Sequence, residues 1–188
     1  VEAVDPLELA RICQRAENEY VGVHCGLMDQ FASACGQADS ALLLDCRSLD
    51  WRPVSLPLDA AVLVVVDSGS PRRLGASEYN ARRAQCEAAV ALLARDDPGV
   101  RSLRDVTRER LAAVRSRLDP LANRRCEHVV TENERVLDTV AALEAGDLTA
   151  VGEAFAASHA SLRDLYQVSS PELDALVVAV VTKPFGFE

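Results

Sequence analysis

The residue best placed to do chemistry is Asp29, just after the short stretch Gly22-Val23-His24-Cys25-Gly26-Leu27-Met28. Two glycines frame a turn there, and Asp29 follows in the first turn of an apolar-periodic segment, in which Met28, Phe31, Ala32 and Cys35 fall at i, i+3, i+4 and i+7. A helix start holds unpaired N–H groups and a positive dipole end, which favour an ionised carboxylate. With glycine backbone open to a ligand beside it, such an aspartate could take the proton of a bound hydroxyl. On these residues alone an ordinary helix-start aspartate is the first reading, and a lone Glu17 near the end of the preceding helix reads as solvated. His24 is the only histidine whose position suits a ligand role, and it carries little of the argument.

The elements that must position these groups follow from spacing. Asp5-Pro6 opens a helix with proline in its first turn, and Leu9, Cys13, Ala16 and Tyr20 form its apolar stripe, with Glu17 beside it. Ala41–Cys46 and Arg52–Leu56 read as two strands joined around Arg47-Ser48-Leu49-Asp50. Ala61–Asp67 is apolar on both faces and predicts a buried central strand, ending in the turn-prone Asp67-Ser68-Gly69-Ser70-Pro71. Tyr79 sits near the start of a helix running to about Arg95; unaided, its ring packs and its hydroxyl reaches the rim. Arg72, Arg73, Arg82 and Arg83 form the main local cationic cluster, with helix-surface pairing as the plain reading and a phosphate-bearing ligand as the other. Asp96-Asp97-Pro98-Gly99 is a loop and marks the junction between an N-terminal mixed part and a helical part.

From about Thr107 the pattern is helical. Val129, Asn133, Val136, Val140 and Leu143 follow 4-3-4-3 spacing and Gly146 stops that helix. Leu148, Val151, Phe155, Leu162 and Tyr166 continue in the next, where His159 reads as a hydrogen-bonded core histidine. Ser169 or Ser170 caps the last helix, with Glu172 placed for a capping box and Leu173, Leu176, Val177 and Val180 as its face. No internal repeat or low-complexity tract interrupts the chain.

The bulk numbers narrow the function classes. With 188 residues, 49% apolar and 26% charged, the chain can bury a core as one domain or two small ones. A formal charge of −9 argues against a dominant nucleic-acid or anionic-membrane role. No apolar run approaches the roughly 20 residues of a membrane span, and no signal-peptide pattern is seen. The six cysteines, at 13, 25, 35, 46, 86 and 126, form no CxxC pair and predict buried free thiols in a reducing cytoplasm. Nineteen of the twenty basic residues are arginine and Lys183 is the one lysine, which speaks against a catalytic or phosphate-binding lysine.

Several segments with distinctive wording stand in order along the chain. They are Ala16-Glu17, Gly22, Cys25-Gly26-Leu27-Met28-Asp29-Gln30-Phe31, Gly36-Gln37 and Ala41-Leu42-Leu43-Leu44-Asp45-Cys46-Arg47-Ser48-Leu49. Ser77-Glu78-Tyr79-Asn80, Arg82-Arg83-Ala84-Gln85-Cys86-Glu87 and His128-Val129-Val130-Thr131-Glu132-Asn133 follow in order. Ser158-His159, Ser161-Leu162-Arg163 and Pro171-Glu172-Leu173-Asp174 complete the series. Taken together these segments resemble galactokinases, members of the GHMP family of small-molecule kinases; the resemblance runs from about Leu9 to Leu176, and the collinear order makes it specific. Asp67-Ser68-Gly69-Ser70-Pro71-Arg72-Arg73 departs from the asparagine- or threonine-rich turn with an arginine that many relatives carry.

The resemblance implies an α+β, two-lobed GHMP-kinase-like fold, incomplete at both ends and helix-rich in its C-terminal half. Residues 1–98 would be the central part of the N-terminal lobe and the lobe junction, and 99–188 the helical part of the C-terminal lobe. It implies ATP-dependent phosphorylation of the C1 hydroxyl of α-D-galactose by a cytoplasmic enzyme. Asp29 would be the catalytic residue that orients or deprotonates that hydroxyl, Glu17 the Mg²⁺ ligand, and Gly26, Asp29 and Tyr79 the sugar-binding residues. The family's N-terminal sugar motif, Gly/Ser-rich phosphate loop and C-terminal glycine-rich motif have no counterpart in the sequence, so this stretch alone is expected to be inactive, with sheet edges left prone to association. Two alternatives stand beside this reading: a kinase for another sugar such as N-acetylgalactosamine, and a non-catalytic sugar-binding or sensor remnant.

Overall fold

A computed structural model describes residues 4–69 and 76–182, without the side chains of 76–79 and 180–182. Asp5 caps the first helix, α1 (Pro6–Ala16): its Oδ2 accepts from the Glu8 N–H at 3.0 Å, and Pro6 occupies the first turn. The chain then widens into a π turn, Glu17–Val21, closed by Gly22 at φ +80°. Such a left-handed closure suits glycine, which has no Cβ to clash. After an irregular loop, α2 (Met28–Cys35) leads into an antiparallel hairpin of β1 (Ser40–Leu44) and β2 (Trp51–Ser55), with Leu44 opposite Trp51 and Ser40 opposite Ser55. Asp45 builds the hairpin turn: its Oδ1 accepts from the Arg47 and Ser48 N–H groups at 2.8 and 3.2 Å.

The hairpin forms as the alternation predicts, but the inward helix faces differ from the predicted stripes. In α1, Leu9, Cys13 and Tyr20 are exposed; Leu7, Ala10 and Gln14 turn inward, and continuing their spacing brings Glu17 to the same side. In α2, Met28 is 69% exposed and Ala32 is exposed, while Leu27, Phe31, Ala34 and Cys35 pack inward. The cause is the α1–α2 contact, which selects Ala10 as the close-approach residue and seats Phe31 against it and the hairpin. Phe31 is 1% exposed and meets Trp51 edge-on, with ring centroids 5.6 Å apart. Burying such a ring contributes about 2–3 kcal/mol.

The described residues sort into two compact units interleaved along the sequence. The first takes in residues within 1–63, 74–81 and 140–147, and its core is the Ala10–Leu27–Phe31 cluster. The second takes in residues within 64–73, 82–139 and 148–188. Its core is formed by Ala89, Leu93, Val100, Leu103, Val106, Leu111, Leu118, Cys126 and Val130. These come from α3 (Ala76–Leu93), α4 (Arg108–Val114), α5 (Pro120–Ala145) and the short turns between them. Helices α6 (Leu148–Ser161) and α7 (Pro171–Thr182) follow, with a second π turn at Leu162–Tyr166.

Other expectations meet corrections. Ala61–Asp67 forms no strand: Val62 to Val66 are exposed and pair with no strand among the described residues. A segment apolar on both faces is buried only when neighbours cover both, and the described sheet holds two strands elsewhere. Asn133 and Val136 of α5 and Phe155 of α6 face outward, because α5 buries Arg125, Cys126, His128 and Val130 instead. All six cysteines are free thiols, but only Cys126 is buried, and Cys13 and Cys46 are exposed. Ser170 caps α7, accepting from the Leu173 N–H, so Glu172 falls one position short of a capping box. Gly146 ends α5 at φ +70°, as expected, and His159 is hydrogen-bonded to Asp174 at 3.0 Å. Among the described residues no helix is long and apolar enough to cross a membrane.

Candidate functional site

Glu17 opens the π turn at the end of α1, where its side chain, half-buried, faces the loop and α2. Both of its carboxylate oxygens are engaged. Gln30 Nε2 donates to Oε1 at 2.7 Å, and the Cys25 thiol donates to Oε2 at 3.5 Å and approaches Asn18 Oδ1 at 3.6 Å. These partners are neutral, and among the described residues Glu17 has no ion pair. Burial first, then the bond to Glu17 and its charge, push the Cys25 thiol up, so it remains a protonated donor at neutral pH.

The loop between the two helices is fixed by three hydrogen bonds from two residues. Gln14 Nε2 of α1 donates to the Cys25 carbonyl at 3.2 Å. Asn80 of α3 spans the turn: its Oδ1 accepts from the His24 N–H at 3.2 Å and its Nδ2 donates to the Gly22 carbonyl at 3.3 Å. Asp29 lies in the first turn of α2, with its carboxylate exposed and without a hydrogen-bond or ion-pair partner among the described residues. Gly26 is exposed, and a Cβ built on it would meet no atom within 4 Å. A free carboxylate at a helix start, open backbone beside it and a second, held carboxylate one loop away thus share one unit.

Of the predicted site residues, the structure brings Glu17, Gly26 and Asp29 onto this α1–loop–α2 corner. Tyr79 belongs by its backbone to α3, next to the loop-bridging Asn80; its side chain lies outside the described residues, as do Arg72, Arg73 and Lys183. Arg83 pairs with Glu87 at 2.8 Å, and Arg82 donates to the carbonyls of Tyr166 and Gln167 at 2.9 and 3.0 Å. Three polar residues went unassigned from sequence: Gln14, Gln30 and Asn80. A signal existed for Gln14, which follows Leu7 and Ala10 at helical spacing and so shares the inward face.

The donor set suits a hard divalent cation of limited demand. No group of three or more His, Cys, Asp or Glu side chains among the described residues could hold a metal by itself. Mg²⁺ uses one or two protein carboxylates and completes its shell with water and substrate phosphates, which one uncompensated glutamate fits.

Comparison with known proteins places this corner in a family context. The family described as GHMP kinases N terminal domain matches residues 2–37, the stretch that carries both carboxylates. A galactokinase of Roseiflexus sp. (strain RS-1) is 53% identical over 170 residues, 90% of this chain and 43% of the relative. A galactokinase of Chloroflexus aurantiacus (strain ATCC 29366 / DSM 635 / J-10-fl) is 50% identical over 180 residues, 96% of this chain and 46% of the relative. Among solved structures, Lactococcus lactis galactokinase complexed with galactose aligns with TM-score 0.86 and 34% identity, over 97% of this chain and 47% of that one. The chain therefore spans just under half the length of the relatives it matches.

Proposed function

From a chain with an α+β GHMP-kinase-like fold that is homologous to galactokinases along nearly all of its own length, we propose that it is the part of a galactokinase that supplies the catalytic base and the metal carboxylate. The whole protein would phosphorylate the C1 hydroxyl of α-D-galactose with ATP in the cytoplasm. Asp29 carries this reading, because a carboxylate at the start of α2 is free to accept a proton while the surrounding backbone is pinned. Its place in the first turn of α2, exposed and without a partner among the described residues, leaves it open to orient or deprotonate the hydroxyl. Gly26 offers backbone that a sugar can approach closely, and Tyr79 would contact the sugar as the resemblance to galactokinases implies. Glu17 would hold Mg²⁺, which when bound neutralises phosphate charge. Phosphoryl transfer depends mainly on positioning and charge stabilisation, which a held Glu17 and an open Asp29 one loop apart would serve. The division into lobes near residue 98 belongs to the same proposal.

The test compares galactose phosphorylation by these 188 residues with that by a protein restoring the flanking segments its relatives have. Turnover only in the longer protein supports the reading; turnover by the 188 residues alone refutes the requirement for a separate phosphate loop. In the longer protein Asp29→Asn is expected to lower kcat by about 10²–10⁴-fold, with galactose binding retained. Near-wild-type turnover there removes Asp29 from the base role, and a sugar panel that prefers N-acetylgalactosamine changes the substrate.

A further inference from the structure

Gln30 stands next to Asp29 in the sequence, yet its amide is spent on Glu17, across the loop on the other helix. The arrangement has a cost. With Nε2 committed to Glu17 at 2.7 Å and near Cys25 Sγ at 3.8 Å, the amide oxygen Oε1 is left buried with no hydrogen-bond partner among the described residues. Turning the amide over would set Oε1 against the Glu17 carboxylate, acceptor against acceptor, so the carboxylate itself dictates the orientation. An unsatisfied buried acceptor is normally eliminated in stable proteins. Its retention next to two candidate functional acids points to a role other than stability.

We propose that Gln30 is a positioning residue: it fixes the Glu17 carboxylate in its metal-facing orientation and sets its position relative to Asp29. The inference rests on the Mg²⁺ role proposed for Glu17. Gln30 and Asp29 are consecutive residues of α2, so a hydrogen bond from one fixes the distant acid relative to the other. Because Gln30 is a neutral donor, it orients the carboxylate without neutralising it. An arginine in its place would pair with Glu17 and compete with the cation. The thiol of Cys25 supplies the second, weaker contact on the other oxygen.

The test uses the protein that carries this chain with the flanking segments of its relatives, and Gln30→Met, which keeps length and apolar volume but lacks the donor. Mn²⁺ binding in the presence of a non-hydrolysable ATP analogue is followed by electron paramagnetic resonance, beside melting temperature and steady-state kinetics. Removing a charge-assisted bond together with an orphaned acceptor gives opposite expectations for the two roles. A positioning role predicts Mn²⁺ affinity weakened roughly tenfold, a raised Mg²⁺ requirement, a galactose KM within about twofold and an unchanged or higher melting temperature. Gln30→Asn, whose amide falls short of Glu17, serves as the second variant and is expected to lose Mn²⁺ affinity as well. Unaltered Mn²⁺ affinity in both variants overturns the proposal while leaving galactose phosphorylation standing. Weakened Mn²⁺ binding in a protein that does not phosphorylate galactose upholds Gln30 and refutes the proposed substrate. If the unsubstituted protein binds no Mn²⁺ with the nucleotide analogue, the metal role of Glu17 and the role of Gln30 fall together.

Discussion

Gly22 and Gly26 frame the same loop but answer to different constraints. Gly22 closes the π turn at φ +80°, a conformation that costs an L-residue about 1–2 kcal/mol. Gly26 has no positive φ and no neighbour for an added methyl to strike. Gly22→Ala is therefore expected to lower unfolding free energy by about 1 kcal/mol in urea titrations, whereas Gly26→Ala should leave it unchanged and, under the proposed function, weaken galactose binding by the protein that restores the flanking segments, measured by calorimetry. Loss of stability in Gly26→Ala, with sugar affinity intact, would reverse the assignment. His128 offers a second residue-scale test. Buried, stacked on Tyr166 at 4.4 Å and bonded through Nδ1 to Ser161 Oγ at 2.8 Å, it is held below the ordinary histidine range chiefly by burial. The unfolded chain thus takes up the proton first as pH falls. Its neutral form contributes stability that is fully present above about pH 6.5 and is lost as pH drops through that value toward the depressed folded one. His128→Gln should flatten the fall of the urea midpoint between pH 7.5 and 5 relative to wild type. An equal slope in both proteins would show that His128 does not carry the effect.

Element boundaries were legible because local chemistry sets them. Asp5-Pro6 and Gly146 each satisfy or free backbone groups within a few residues, so no distant partner is needed to read them. Helix faces were not legible in the same way. Leu9, Cys13 and Tyr20 make as good a stripe as Leu7, Ala10 and Gln14, and only the packing of α1 on α2 chooses between them. The same limit hid Gln30, whose partner lies thirteen residues away on another helix. Arg125 of α5 shows the point most sharply: 1% exposed, it has neutral hydrogen-bond partners at every nitrogen. Nε donates to Gln85, the terminal nitrogens to the Leu165 carbonyl and Gln167 Oε1, and the guanidinium lies over the Tyr166 ring. This fork anchors the π turn and the left-handed Gln167, at φ +61°, to α5 and α3. A lysine ammonium cannot reproduce a planar three-way fork. Arg125→Lys should cost about 2–3 kcal/mol in urea unfolding, while Arg124→Lys, on an exposed neighbour, should cost nearly nothing. Equal small effects would demote the fork to incidental packing.

For the molecule as a whole, the stretch Ala61-Val62-Leu63-Val64-Val65-Val66 matters most, because it is apolar on both faces and has no strand beside it among the described residues. Val65 is 96% exposed and Leu63 is 72% exposed, and Val62, Val64 and Val66 are exposed as well. The sequence predicted a buried strand there from composition, and the composition remains that of one. Burial of such a segment is a non-local property: it needs edges and faces supplied by other segments, and these 188 residues match just under half of each relative. An uncharged, valine-rich run that pairs with no strand among the described residues is a template for pairing with another chain. The chain on its own is therefore expected to self-associate at tens of micromolar in sedimentation velocity. Val65→Lys should return it toward monomer, because a charge on an extended edge opposes strand pairing without touching either core cluster. Its circular dichroism and melting temperature should match those of the parent. Restoring the flanking segments should suppress association as effectively as the lysine does, since covering the run and charging it remove the same exposed edge. Association that persists in both would place the contact elsewhere, and a parent chain that is monomeric at every concentration would mean that Val62–Val66 is covered in solution by the chain itself.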